Sequence, residues 1–178
     1  MSQKELMTTT TAKSVNAFTL FRIAFGLVWV IDGLMKFVFM QPSDVVNLVS
    51  TAGQGQPGWL QPWYSFWIGA VTSAPAGFLY GVGAAELILG LALIFGFLRK
   101  TAYWGGIVLA LLIWAIDEGF GGPYGPGATD IGAAIMYAFI FVALIIFERT
   151  ANYGEYSVDA RIERKLAAWK HISELSNN

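Results

Sequence analysis

Four apolar runs divide the chain: Phe18–Met40, Phe78–Leu98, Ala102–Ile116 running on to Asp117, and Ile131–Phe147. Crossing a hydrocarbon core roughly 30 Å thick takes about 20 residues, a length that the first two runs supply and the last two approach with their flanks. The pattern predicts an all-α integral membrane four-helix bundle. Residues 1–17 form a polar N-terminal tail, 18–150 the four-span domain and 151–178 a second tail. In that tail Val158, Ile162, Leu166, Trp169 and Ile172 recur at three- or four-residue spacing, with Arg161, Arg164, Lys165 and Lys170 between them. Such spacing predicts an amphipathic helix, either lying on an anionic leaflet or docked on a partner subunit.

Charge gives the runs a direction. Outside the first run, every Lys and Arg falls in the N-terminal tail, in the Arg99–Lys100 hairpin or after Phe147, and residues 41–77 and 117–130 carry none. Positive charge marks the cytoplasmic side, so both termini are expected inside and both Gly- and Pro-bearing connections outside. The first 16 or so residues are too polar for a cleavable signal peptide.

Composition narrows the chemistry. The chain is 56% hydrophobic and 13% charged, with a net charge of −1. No basic face is available for nucleic acid. With no cysteine and a single histidine, His171, in the polar tail, thiolate catalysis, haem, metal and iron–sulfur centres on this chain are not expected. Electron transfer would need a dissociable carrier or another subunit.

Charges inside the runs are the candidate chemistry, because a charge near mid-bilayer costs several kcal/mol on insertion scales. The first run holds Arg22, Asp32 and Lys36, and the second holds Glu86. At about 1.5 Å per residue, Asp32 lies about 15 Å and Lys36 about 21 Å beyond Arg22, and Glu86 reaches a similar depth to Asp32 from the outer side. Asp32 and Lys36 are spaced i, i+4, acid first, and can pair on one helix face. Glu86 has no base at i±3 or i±4, which leaves Lys36, across the bundle, as its nearest candidate cation. A structural pair and a proton-handling or ligand-binding cluster of Asp32, Lys36 and Glu86 both fit.

Two outer stretches carry alternatives of their own. Trp59, Trp63, Tyr64, Phe66 and Trp67 suit an interfacial aromatic belt or a ring-lined entrance for a lipophilic ligand. The loop EGFGGPYGPGATD, Glu118 to Asp130, is either a compact turn or a small-anion site built from backbone N–H groups at the start of the fourth helix. Thr129 or Asp130 can cap that helix. Lys36 is the one nearby base that would offset the loop's acids.

The stretch RIAFGLVWVIDGLMKF resembles the first-span signature of the DoxX/DoxD membrane family, and EGFGGPYGPGATDIGAAIMYAFIF resembles the outer loop and last span of its DoxD branch. The matching positions are Arg22, Gly33, Lys36, Glu118, Gly121, Gly122, Tyr124, Gly125, Thr129 and Asp130. The resemblance implies a multi-pass protein of a prokaryotic plasma membrane, the small subunit of a thiosulfate:quinone oxidoreductase, working with another membrane subunit or as a homo-oligomer. On that reading Asp32, Lys36 and Glu86 are the catalytic candidates, with quinone a dissociable substrate near Trp29, Trp63, Trp67 and Trp114. The small sulfur anion would meet Lys36, Gly121, Gly122, Tyr124, Thr129 and Asp130. The alternative is a non-catalytic accessory subunit of a larger respiratory or oxidase complex.

Overall fold

A computed structural model describes residues 3–124, 130–151, 156–173 and 175. Every regular element among them is a helix. Four long helices, α1 (Gln3–Val38), α4 (Pro75–Phe95), α5 (Arg99–Ile116) and α6 (Ala133–Ala151), carry the four apolar runs. Within α1 the stretch Ala17–Val38, and α4 as a whole, are long and apolar enough to cross a membrane. The first helix extends well into the tail expected to precede it, since nothing helix-breaking stands between Gln3 and Phe18.

Glycine sets the α1–α4 spacing. A Cβ at Gly26 would lie 2.8 Å from the Gly90 carbonyl oxygen, and one at Gly33 would lie 2.9 Å from that of Gly83. The two backbones therefore touch at two levels, the ordinary use of small residues between membrane helices. Residue numbers fall along one helix as they rise along the other, so α1 and α4 are antiparallel. The same holds for α5 and α6, where Gly106 makes room for the Phe141 ring and Trp114 reaches Ile131. Side chains from all four long helices meet in one core around Phe25, Trp29, Leu93, Tyr103 and Phe141. Ile31, Ile88, Val108, Phe139 and Ile146 point outward and stay exposed, an outward-apolar pattern suited to lipid.

Residues 41–77 are not a plain connection. They hold α2 (Pro42–Gly53) and α3 (Gln61–Ser73), a helical cap over the outer end. Proline stands in the first turn of α2, α3 and α4, where its missing N–H breaks no intrahelical bond. Val45, Val49, Val71 and Leu79 form a second, smaller core beneath the cap.

The C-terminal segment also departs from expectation. Instead of one amphipathic helix it forms α7 (Val158–Glu163), a 3₁₀ turn over Ala167–Trp169 and α8 (Lys170–Ser173). The break is driven by polar contacts with the α4–α5 hairpin. Asp159 accepts the Leu98 and Arg99 N–H groups at 2.9 Å each, and the Trp169 indole donates to the same carboxylate at 2.9 Å. The segment thereby folds back over the α4–α5 junction, and the Trp169 ring rests against Phe97. At that junction Gly96 ends α4 in the left-handed conformation (φ 62°), with Phe97 N–H closing onto the Ala92 carbonyl. This is a glycine-terminated helix end that an L side chain rarely adopts.

Candidate functional site: a buried ion pair beside an outer cavity

The Gly33–Gly83 contact places α1 close enough to α4 for a short cross-helix bond. One turn beyond it, Lys36 Nζ lies 2.7 Å from Glu86 Oε2 and 2.8 Å from Oε1. Glu86 is 2% exposed and Lys36 20%, so the carboxylate is buried while the lysine side chain is partly open. Lys36, but not Glu86, lines a cavity of about 180 Å³ whose other polar lining residue is Asp117 and whose walls include Met40, Trp67, Leu79 and Ile113. Leu48 and Leu112 also line it and are exposed on the surface, so the cavity reaches the membrane-facing side. A buried pair of this kind stabilises weakly overall, because desolvation offsets attraction, yet removing one partner costs about 3–5 kcal/mol.

Asp32 does not take the i, i+4 pairing with Lys36 that its spacing allows. It makes no hydrogen bond or ion pair among the described residues, although it feels the Lys36 charge. The lysine prefers Glu86, whose two oxygens both come within bonding distance.

Among the four tryptophans, Trp67 alone lines the cavity. Trp63 packs edge-on to Trp67, and Phe120 bridges Trp63 to Trp114 with centroid distances of 6.2 and 5.2 Å. Trp29 belongs elsewhere. It is fully buried in the main core against Phe25, Tyr137 and Phe141.

In the described part of the loop, two N–H groups have partners within the chain. Gly121 N–H donates to the Glu118 carbonyl at 2.8 Å and Gly122 N–H to that of Gly119 at 2.9 Å. The α6 N-terminus is met by this chain's own carboxylate, since Ala134 N–H donates to both Glu118 oxygens, at 3.2 and 3.0 Å. Asp130 accepts Gly132 N–H at 2.8 Å, and the Tyr124 hydroxyl donates to the Phe120 carbonyl. Thr129 and Gly125 lie outside the described residues. Glu118 and Asp130 share one shallow depression with Gly121 and Gly122, an acidic setting that repels a free anion.

Sequence reasoning missed Gln56, and it missed the bonds by which Trp63 and Tyr64, expected in a belt or an entrance, tie the cap to the site. Gln56 is buried and donates to the Ala52 and Gly119 carbonyls at 3.0 and 2.9 Å. Tyr64 and Trp63 donate to the Ala115 carbonyl, near the end of α5, at 3.0 and 3.3 Å. The only available signal was polar tips placed among apolar neighbours, which an interfacial belt shows equally well.

The inner end carries a second ionic cluster. Arg99, 3% exposed, bonds Glu148 through Nη1, Asp159 through Nε at 3.2 Å and Glu163 through Nη2 at 3.3 Å. A guanidinium keeps its charge in proteins, and here three carboxylates compensate it. Arg22 is buried and donates to the Tyr156 carbonyl at 2.9 Å.

A family model described as DoxX matches residues 17–117. The matched range stops before the Glu118–Asp130 loop, so the narrower DoxD likeness rests on the sequence resemblance alone. No curated protein and no solved structure matches the chain.

Proposed function

Because the chain belongs to the DoxX family and is a membrane protein, we propose that it is the quinone-binding membrane subunit of an oxidoreductase, with α1, α4, α5 and α6 as its four spans and both termini inside. The observation that carries this reading is the Lys36–Glu86 pair, of which Lys36 alone lines an apolar cavity. Whole-ligand pockets run to about 300–1,000 Å³. A space of this size suits a ring-sized head whose tail stays in the lipid.

In that position Lys36 donates a charge-assisted hydrogen bond to a quinone carbonyl oxygen while Glu86 holds the ammonium from behind. Reduction adds two electrons and two protons to the quinone. The ammonium offsets negative charge as it builds on the ring oxygen. Asp117, the other polar lining residue, is placed to pass protons from the outer side. The electrons come from a donor oxidised outside this chain, and the DoxD likeness makes thiosulfate or a similar sulfur anion the first donor to try. Since the Gly121 and Gly122 N–H groups are engaged and Glu118 and Asp130 border them, the donor site is assigned to a partner subunit.

A second reading, a non-catalytic accessory subunit, is favoured by the lack of cysteine and by the single exposed histidine, which leave this chain no recognised two-electron group of its own. Gentle purification, identification of co-purifying chains and an assay of thiosulfate-dependent quinone reduction separate the two. Turnover lost in Lys36→Met supports quinone binding. Wild-type turnover by a stable complex carrying Lys36→Met would leave the accessory role.

A further inference from the structure

A longer trough of about 920 Å³ runs along the outer surface of α4 and α5. Ile88, Ala92, Trp104 and Val108 give it apolar walls, and Lys100 and His171 stand at its inner end, the latter brought there by the folded-back C-terminal segment. From Lys100 to Leu112 along α5 is roughly 18 Å at 1.5 Å per residue, close to half of a hydrocarbon core about 30 Å thick. The trough is therefore one leaflet deep, with a base at the headgroup level.

Gly105 adds an independent observation. A Cβ built there meets nothing within 4 Å, so no neighbouring helix requires this glycine, unlike Gly26, Gly33 and Gly106. Glycine inside a helix is unfavourable relative to alanine. Its bare backbone lines the trough and deepens it where an extended chain would lie.

We propose that this trough binds an anionic phospholipid of the leaflet on the Arg99–Lys100 side, with its phosphate at Lys100 and His171 and one acyl chain running past Gly105 and Val108 toward Leu112. Lys100 Nζ spends one N–H on the His171 carbonyl at 3.2 Å and keeps two for phosphate oxygens. Two carboxylates of the C-terminal segment are already engaged: Asp159 by Arg99 and Trp169, and Glu163 by Arg99 and Ser173. A net negative headgroup is preferred over a zwitterionic one, whose own cation competes with Lys100.

Trp104, half exposed on the trough wall, supplies the readout. The full chain is reconstituted in phosphatidylcholine vesicles containing either brominated phosphatidylglycerol or brominated phosphatidylcholine at equal mole fraction. The quenching that disappears in Trp104→Phe is then compared. Occupancy by the anionic lipid should be favoured roughly fivefold, the effect of one basic residue near the surface, and the preference should vanish in Lys100→Gln. Gly105→Leu, whose Cβ meets no atom within 4 Å and whose side chain enters the trough, should lower quenching by both lipids while leaving the melting temperature unchanged. Equal quenching by the two lipids, or a preference surviving Lys100→Gln, overturns the proposal. Because the chain has no cysteine, Gly105→Cys carries a single thiol. Its ready oxidation to a disulfide dimer in the membrane would put a second copy in the trough and also overturn it.

Discussion

The two ionic clusters use similar chemistry to different ends. Arg99 is enclosed by three carboxylates, sits beside the backbone N–H groups that Asp159 accepts, and does not line the cavity at Lys36. At the outer end Lys36 has one carboxylate partner, retains partial exposure and lines a cavity with Asp117. An ion surrounded on every side by its own chain can fasten helices together but cannot meet a ligand. An ion with one open side can do both, at some cost in stability. Burial with complete partnering thus reads as architecture, and burial with one free direction reads as a site.

That contrast breaks most readily at Arg99. Arg99→Met leaves Glu148, Asp159 and Glu163 without their shared cation, and a loss of about 3–5 kcal/mol is expected, seen as a large fall in melting temperature in detergent and release of the C-terminal segment to protease. If Arg99→Met melts like wild type, the inner cluster does not fasten the tail.

A smaller stability effect, with a larger functional one, is expected at the outer pair. Lys36→Met strands the buried Glu86 and should destabilise by about 3 kcal/mol, at the lower end because the lysine was partly exposed. The double variant Lys36→Met/Glu86→Leu should regain most of that stability, since an apolar pair replaces an ion pair at little net cost, and yet stay unable to bind quinone. Recovery of both properties together would erase the distinction between the clusters. Thermal melts alongside quinone binding measure the two separately.

Much of this arrangement was legible in the residues. The apolar runs correspond to the long helices, and the lack of any local base near Glu86, which left Lys36 as its nearest candidate cation, pointed to their contact across α1 and α4. The cap was not legible. In α2 and α3 the buried positions, such as Val45, Val49, Tyr64 and Val71, are interleaved with exposed apolar residues such as Leu48 and Phe66, so the pattern blurs into an interfacial belt. Nor was the broken tail. Three- and four-residue spacing describes an amphipathic helix whether it lies on lipid or folds back, and only the Asp159 contacts, 60 residues away in sequence, decide between them. The Glu118 cap on α6 spans 16 residues of loop and leaves no local signature.

Below these effects come the contacts that hold the cap over the site. Gln56→Ala removes two buried hydrogen bonds, leaves the Gly119 carbonyl short of a donor and should cost about 1–3 kcal/mol, with quinone affinity falling modestly as the cap loosens. Glu118→Gln should cost about 1 kcal/mol, the worth of a carboxylate at a helix N-terminus, and leave quinone affinity alone. An affinity loss in Glu118→Gln as large as in Lys36→Met would move the site from the cavity to the loop.

The most direct measurement is the dissociation constant of a short-tailed quinone for the purified chain in mild detergent, read by tryptophan fluorescence quenching, for wild type and for the stability-restored Lys36→Met/Glu86→Leu variant. Loss of a charge-assisted hydrogen bond of about 1.5–3 kcal/mol predicts affinity roughly ten- to a hundredfold weaker in the variant. Equal dissociation constants in the two proteins would contradict a quinone site at Lys36.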